Sequence, residues 1–162
     1  MKIVIAALGF SLCLAAHAQN APAPISKQEF INAFIADSNS TPTDKEEAQF
    51  IALQDTIFFS CLGKAVPSQT QKTADTQIML NACSSKLPER IDFAAPDIEQ
   101  KMSSFDQCFS KETLKLLAIS EEQLNQCDAQ TNMDIPMDEK ISKANNNEEK
   151  QALEALKVFI SQ

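Results

Sequence analysis

Apolar residues recur at three- and four-residue intervals through most of the chain, the spacing that places them on one face of an α-helix. No segment alternates apolar and polar residues long enough to predict a strand, and only two glycines are present for tight turns. The pattern predicts helices over 27–37, 44–65, from about 73 to the residue before Pro88, over 96–118, about ten residues after Ser120, and 147–160. We therefore expect an all-α fold.

Three of these helices begin after a capping-box signal, in which a Ser or Thr is followed three residues later by Glu or Gln. The pairs are Ser26 with Glu29, Thr43 with Glu46 and Ser120 with Gln123. These pairs predict where the three helices begin.

The two longest predicted helices carry related sequences. FFSCLGK at 58–64 recurs 47 residues later as FDQCFSK at 105–111. Each copy is followed by a Leu-Asn-x-Cys sequence, LNAC at 80–83 and LNQC at 124–127, at a shift of 44 residues. Each unit then consists of a long helix, a turn and a shorter helix, which predicts an αα-hairpin built twice.

This repeat organises the predicted domain. We expect a single all-α domain over 26–162, in which the hairpins occupy 44–86 and 96–130 between flanking N- and C-terminal helices. The segment 19–25, with two prolines and no amphipathic pattern, is expected to be a flexible leader.

The first 18 residues have the features of a Sec-type signal peptide. One Lys precedes an apolar run over 3–16, and the run ends in a small-x-small sequence that predicts cleavage after Ala18. An uncleaved membrane anchor is the alternative, but the run is shorter than the roughly 20 residues that a bilayer span needs. We expect a periplasmic or secreted protein with no integral membrane segment after cleavage.

Cleavage changes the composition that matters for chemistry. It removes Cys13 and the single histidine, His17, and it leaves a chain of 144 residues with four cysteines. Loss of Lys2 takes the formal net charge from −8 to −9. Such acidity argues against binding to nucleic acid or to anionic membranes, because both require a basic patch.

The four remaining cysteines, Cys61, Cys83, Cys108 and Cys127, are expected to form structural disulfides. Metal binding or redox chemistry is the alternative. Metal or redox chemistry is disfavoured because the four cysteines are widely spaced and form no CxxC pair, and because no histidine remains after cleavage.

The sequence alone allows three pairings of four cysteines. If each repeat unit is a hairpin, its two cysteines lie at comparable depths from the turn and can meet side by side. This hypothesis predicts the bonds Cys61–Cys83 and Cys108–Cys127.

The composition offers little for catalysis or cofactors. Without histidine, a nucleophile with a His base is excluded, and no phosphate-binding or dinucleotide motif is present. We expect no enzymatic activity, no cofactor and no metal site.

One loop partly matches an EF-hand calcium loop, namely DAQTNMDIPMDE at 128–139. Met133 replaces the turn glycine and Pro136 stands at the ninth position, so a polar connection between helices is favoured.

Elimination and charge leave a non-enzymatic binding protein as the favoured function, of the inhibitor, immunity or adaptor type, with a basic protein partner. The alternative is a helical carrier of an apolar ligand or lipid. Its binding site would use the aromatic side chains of Phe30, Phe34, Phe50, Phe58 and Phe105. A hydrolase that uses carboxylates is a third hypothesis, and it requires a cleft with an Asp or Glu of raised pKa.

Overall fold

The computed structural model describes residues 23–40 and 42–161, which contain seven α-helices and two strands of two residues each. The helices are α1 (Lys27–Ser38), α2 (Lys45–Cys61), α3 (Gln69–Cys83), α4 (Ile98–Leu117), α5 (Glu121–Thr131), α6 (Met137–Ser142) and α7 (Asn147–Phe159). The strands β1 (Ile25–Ser26) and β2 (Arg90–Ile91) pair antiparallel. The all-α prediction is confirmed. The predicted signal peptide and cleavage site lie outside the described residues.

The described helices divide between two compact units. Unit 1 consists of residues 42–68 and 119–161 and contains α2, α5, α6 and α7. Unit 2 consists of residues 23–40 and 69–118 and contains α1, α3, α4 and both strands. The chain therefore leaves unit 1 after α2 and returns to it at α5.

Unit 1 is built around two antiparallel helices, α2 and α7. The rings of Phe50 and Phe159 lie 6.2 Å apart near one end, and the Asn146 amide donates to the Ser60 carbonyl at 2.6 Å near the other. Between these ends Ile57 and Leu153 have no exposed surface. Apolar burial of this kind, at roughly 1.5–3 kcal/mol per large side chain, is what holds the two helices together.

In unit 2, α3 and α4 form an antiparallel pair, and two phenylalanines of α1 pack against two of α4. The rings of Phe30 and Phe105 meet edge to face at 5.9 Å, and Phe34 lies 5.4 Å from Phe109. All four rings are buried, and Phe105 and Phe109 are at most 2% exposed. These are the side chains that the four-residue spacing of the sequence places on one face of each helix.

The helix starts agree with the capping signals in two cases out of three. Ser26 and Ser120 both form complete capping boxes. The prediction for Thr43 is wrong, because Asp44 is the N-cap of α2 and its carboxylate accepts from the backbone N–H groups of Glu46 and Glu47. Aspartate is as good an N-cap as serine, and here it shifts the start of the helix by one residue.

Helix α2 ends in a Schellman motif that requires a glycine. Gly63 has φ +65°, and Lys64 N–H donates to the Phe59 carbonyl at 2.8 Å. This hydrogen bond provides a donor for a carbonyl in the last turn, which has no partner within the helix. The single glycine outside the predicted signal peptide thus stands where a left-handed backbone is needed.

All four cysteines are in disulfides, but the predicted pairing is wrong. The bonds are Cys61–Cys127 within unit 1 and Cys83–Cys108 within unit 2, with Cα atoms 5.5 and 5.7 Å apart. Each therefore joins a cysteine of one sequence repeat to a cysteine of the other.

The error has a geometric cause. Cys61 is the last residue of α2, at the connection to α3, whereas Cys83 is the last residue of α3 and lies at that helix's far end. At 1.5 Å per residue, α3 places Cys83 about 20 Å from the first residue of that helix, and the two cysteines belong to different units. Cys83 instead meets Cys108 across the pair α3 and α4, where Thr113 Oγ1 also donates to the Met79 sulfur at 3.2 Å.

Two further observations concern membrane-spanning helices and the redox environment. No helix in the described part of the chain is long and apolar enough to cross a membrane. Disulfides persist in oxidising compartments, so the two bonds support an extracytoplasmic location.

Candidate functional site

Negative charge is concentrated in unit 1. Its described residues carry thirteen acidic side chains and six lysines, a formal net charge of −7. Unit 2 carries nine acidic and seven basic side chains, a formal net charge of −2. The acidic character of the chain is therefore mainly a property of unit 1.

Helix starts account for much of this charge. Every helix of unit 1 has two acidic residues in its first turn, whereas α1 and α4 of unit 2 have one each and α3 has none. The unit 1 pairs are Glu46 and Glu47, Glu121 and Glu122, Asp138 and Glu139, and Glu148 and Glu149. Carboxylates at these positions are stabilised by the partial positive charge of the helix N-terminus. Seven of the eight side chains are exposed, and two of these, Asp138 and Glu139, form ion pairs with Lys157 and Lys143.

The eighth, Glu149, is fully buried. Its Oε2 accepts from Asn145 N–H at 2.7 Å, while Oε1 has no hydrogen-bond partner. Burial raises the pKa of the Glu149 carboxyl, and the bond from Asn145 acts in the opposite direction. Glu149 is thus part of the interior of unit 1 and does not belong to its surface.

The turn before α7 ties this helix to the end of α2. Asn145 Nδ2 donates to the Cys61 sulfur at 3.3 Å, and Asn146 Nδ2 donates to the Ser60 carbonyl at 2.6 Å. Asn146 also caps α7 through Glu149 N–H. The disulfide end of unit 1 is therefore fixed by side-chain hydrogen bonds as well as by a covalent bond.

The segment 128–139 is a connection between helices. Asp128 belongs to α5, and Glu139 belongs to α6, where it pairs with Lys143 at 2.6 Å. Lys140, which is 1% exposed, points its ammonium at the Asn132 carbonyl, 3.0 Å away. The side-chain oxygen of Asn132 accepts from Asp134 N–H at 2.9 Å, so both oxygens of this residue have donors within the connection. Burial lowers the pKa of Lys140.

Unit 1 also exposes apolar side chains. Val158 is 62% exposed and Ile160 46% exposed at the C-terminal end of α7, and Val66 and Met133 are each 43% exposed. Val158 lies one turn beyond Glu154, which is exposed on the same helix. Apolar and acidic groups therefore share the outer face of α7.

The phenylalanines named for a ligand carrier are part of the packed interiors. In unit 2, Phe30 contacts both Phe34 and Phe105, and both of these contact Phe109. Phe58 is 4% exposed in unit 1, where Phe50 packs against Phe159. Rings at these distances are packed against one another, as expected of a core.

The carboxyls with raised pKa are spread over separate elements. Burial raises the pKa of Asp106 in α4, of Asp128 in α5 and of Glu149 in α7. Among residues 23–40 and 42–161, no group of three or more His, Cys, Asp or Glu side chains could hold a metal ion.

Sequence reasoning missed the residues that organise the interior of unit 1. Asn146 and Glu149 have the spacing of an N-cap and its third helical residue, which agrees with the predicted start of α7 at residue 147. Nothing in that spacing indicates that Glu149 is buried, because burial depends on which helix packs against it.

Comparison of the chain with protein-family models, with curated proteins and with solved structures finds no match.

Proposed function

We propose that the protein is an exported, non-enzymatic binding module of the inhibitor, immunity or adaptor type, and that unit 1 binds a protein with a basic surface. The observation that carries the proposal is the net charge of −7 on unit 1, displayed on exposed side chains at all four of its helix starts. A field of one sign accelerates association with an oppositely charged partner and disfavours others.

The exposed apolar side chains of unit 1 support the same proposal. Charge steers association, but affinity comes from a few desolvated contacts. Val158, Ile160 and Met133 supply apolar area in the same unit as the acidic groups. Because the chain has no Trp or Tyr, such aliphatic and Met side chains are its available anchors.

The rigidity of unit 1 also favours binding. The Cys61–Cys127 bond and the Asn145 and Asn146 hydrogen bonds fix α2, α5 and α7 before any partner arrives. A preorganised surface loses less conformational entropy on association. Export by the Sec-type signal peptide, to the periplasm or the medium, would supply the oxidising compartment that the disulfides need.

The test compares two variants with equal charge changes. One carries Glu46, Glu47, Glu121 and Glu122 changed to Gln in unit 1. The control carries Asp37→Asn, Glu89→Gln, Glu99→Gln and Asp106→Asn in unit 2. Circular dichroism and thermal unfolding would first establish that both variants fold.

Wild-type protein is crosslinked in the envelope fraction of its source, and the captured protein is purified and titrated against each variant by calorimetry. We expect a stoichiometric basic protein whose affinity falls at least tenfold for the unit 1 variant, falls with added salt, and is unchanged for the unit 2 control. Equal affinity of both variants would refute the proposal. Native mass spectrometry that found a bound lipid in place of a protein would favour the carrier.

A further inference from the structure

A groove of about 340 Å³ runs along α4 in unit 2, and the disulfide-bonded Cys108 lines it. Its lining residues are Lys86, Ser104, Gln107, Cys108, Lys111 and Glu112. A volume of this order is in the range of small-molecule sites. The groove lies outside the unit on which the proposed function rests.

Only one cysteine of the Cys83–Cys108 bond lines this groove. Cys108 is partly exposed and lines the groove, whereas Cys83 is 0% exposed behind it. A nucleophile must approach along the axis of the S–S bond, and which sulfur it attacks depends on access. A reagent in the groove therefore attacks the Cys108 sulfur and displaces Cys83.

The groove is basic, although the chain as a whole is acidic. Lys111 is three residues beyond Cys108 on α4, which places both on one helix face, and Lys86 lines the same groove. Both lysines are exposed. The one carboxylate of the lining, Glu112, is paired with Lys115 at 2.5 Å. Two ammonium groups in the lining of the groove attract an anion, and a cationic surrounding favours the thiolate form of an incoming thiol.

We propose that this groove is the site at which small anionic thiols, those with a carboxylate or sulfonate in addition to the thiol, exchange with the Cys83–Cys108 disulfide. The incoming thiolate forms a bond to the Cys108 sulfur while the Cys83–Cys108 bond breaks. The electron pair of that bond leaves on the Cys83 sulfur, which takes a proton from solvent. The product is a mixed disulfide at Cys108 and a free thiol at Cys83, and attack of Cys83 on Cys108 reverses the reaction.

The other disulfide provides an internal control. Cys61–Cys127 lies in unit 1, whose net charge is −7, and the Cys61 sulfur accepts a hydrogen bond from Asn145. Cys127 is 3% exposed. Anionic thiols should be repelled from this bond and attracted to the other.

The experiment treats the oxidised chain, residues 19–162, with 2-mercaptoethanesulfonate or cysteamine at equal thiolate concentrations. Samples are quenched with acid and alkylated, and peptide mass spectrometry follows each cysteine. At Cys83–Cys108 we expect the anionic thiol to react about tenfold faster than the cationic one, with a mixed disulfide on Cys108. At Cys61–Cys127 the preference should be reversed.

Lys86→Gln with Lys111→Gln should abolish the anionic preference at Cys83–Cys108. The control variant, Lys64→Gln with Lys101→Gln, has the same net charge and should retain it. Persistence of the preference without Lys86 and Lys111, a first mixed disulfide on Cys83, or the same charge preference at both bonds would overturn the proposal. Exchange with a thiol oxidoreductase but with neither small thiol would also overturn it.

Discussion

Asn145 N–H donates a hydrogen bond of 2.7 Å to the carboxylate of Glu149, a side chain with no exposed surface. The bond closes the turn that leads into α7, and Asn145 also contacts the Cys61 sulfur through its side chain. A buried carboxyl therefore supports the same turn that joins α7 to the disulfide end of α2.

This arrangement predicts a pH dependence of stability. Burial raises the pKa of Glu149 in the folded protein above its unfolded value, so the folded state binds the proton more tightly. That contribution to stability is complete below the unfolded pKa and is lost as pH rises through the raised folded pKa. The Glu149→Gln variant should lack this additional stability at acid pH.

Urea unfolding at a series of pH values from acid to neutral measures this effect. Asp106 and Asp128 also have raised pKa values, so the difference between wild type and variant isolates the contribution of Glu149. Glu148→Gln, at the exposed neighbour, controls for the loss of one carboxylate at the start of α7. Parallel profiles for wild type and Glu149→Gln would contradict the prediction.

The two disulfides should contribute unequally to stability. Cys61–Cys127 closes a sequence separation of 66 residues and Cys83–Cys108 one of 25. On the chain-entropy model the first contributes about 4 kcal/mol and the second about 3 kcal/mol. Denaturant unfolding of the paired Cys→Ser variants should rank them in that order, and non-reducing peptide maps should find these two pairs. Any peptide that links Cys61 to Cys83 would show that the pairing is different.

The N-cap of α2 should be Asp44 and not its neighbour. Asp44→Ala removes the acceptor for two backbone N–H groups and should destabilise the protein by about 1 kcal/mol. Thr43→Ala, one residue away, should change the free energy of unfolding by less than about 0.5 kcal/mol. Thermal unfolding of both variants compares the two, and a larger loss for Thr43→Ala would restore the capping box read from the sequence.

Replacing Lys140 by an apolar residue of similar volume should not reduce the stability of the protein. The pKa of Lys140 is lowered by burial, and its acceptor, the carbonyl of Asn132, belongs to an exposed residue that water can reach. Methionine has a similar volume and avoids burying a charge, so Lys140→Met should raise stability by about 1 kcal/mol. The exposed Lys143, changed to Met, should shift it by less than about 0.5 kcal/mol. Destabilisation by Lys140→Met would mean that the bond to Asn132 outweighs desolvation.

Local signals predicted the helices well because local interactions determine them. The four-residue spacing of Phe30 and Phe34 and the caps at Ser26 and Ser120 depend only on neighbouring residues. At α2 two residues could serve as the cap, and the sequence could not rank Thr43 against Asp44.

The disulfide pairs and the buried Glu149 could not be predicted in the same way. Both depend on which helices pack together, and the partners of α2 within unit 1, α5 and α7, come from the other end of the chain. The assumption that neighbouring helices form a hairpin failed at Cys61 for this reason. Charge is also visible in the sequence, but its concentration in unit 1 appears only once the division of the chain is known.

The pairing of the cysteines has a consequence for biosynthesis. Cys61–Cys127 encloses both cysteines of the other bond, so the native pairs are nested rather than consecutive. A chain that enters an oxidising compartment with its N-terminus first exposes Cys61 and Cys83 before the other two, and oxidation at that moment joins the wrong partners. In a chain oxidised in that order, the native pairs would form only after that bond is rearranged, whereas oxidation after α5 has emerged would avoid the rearrangement.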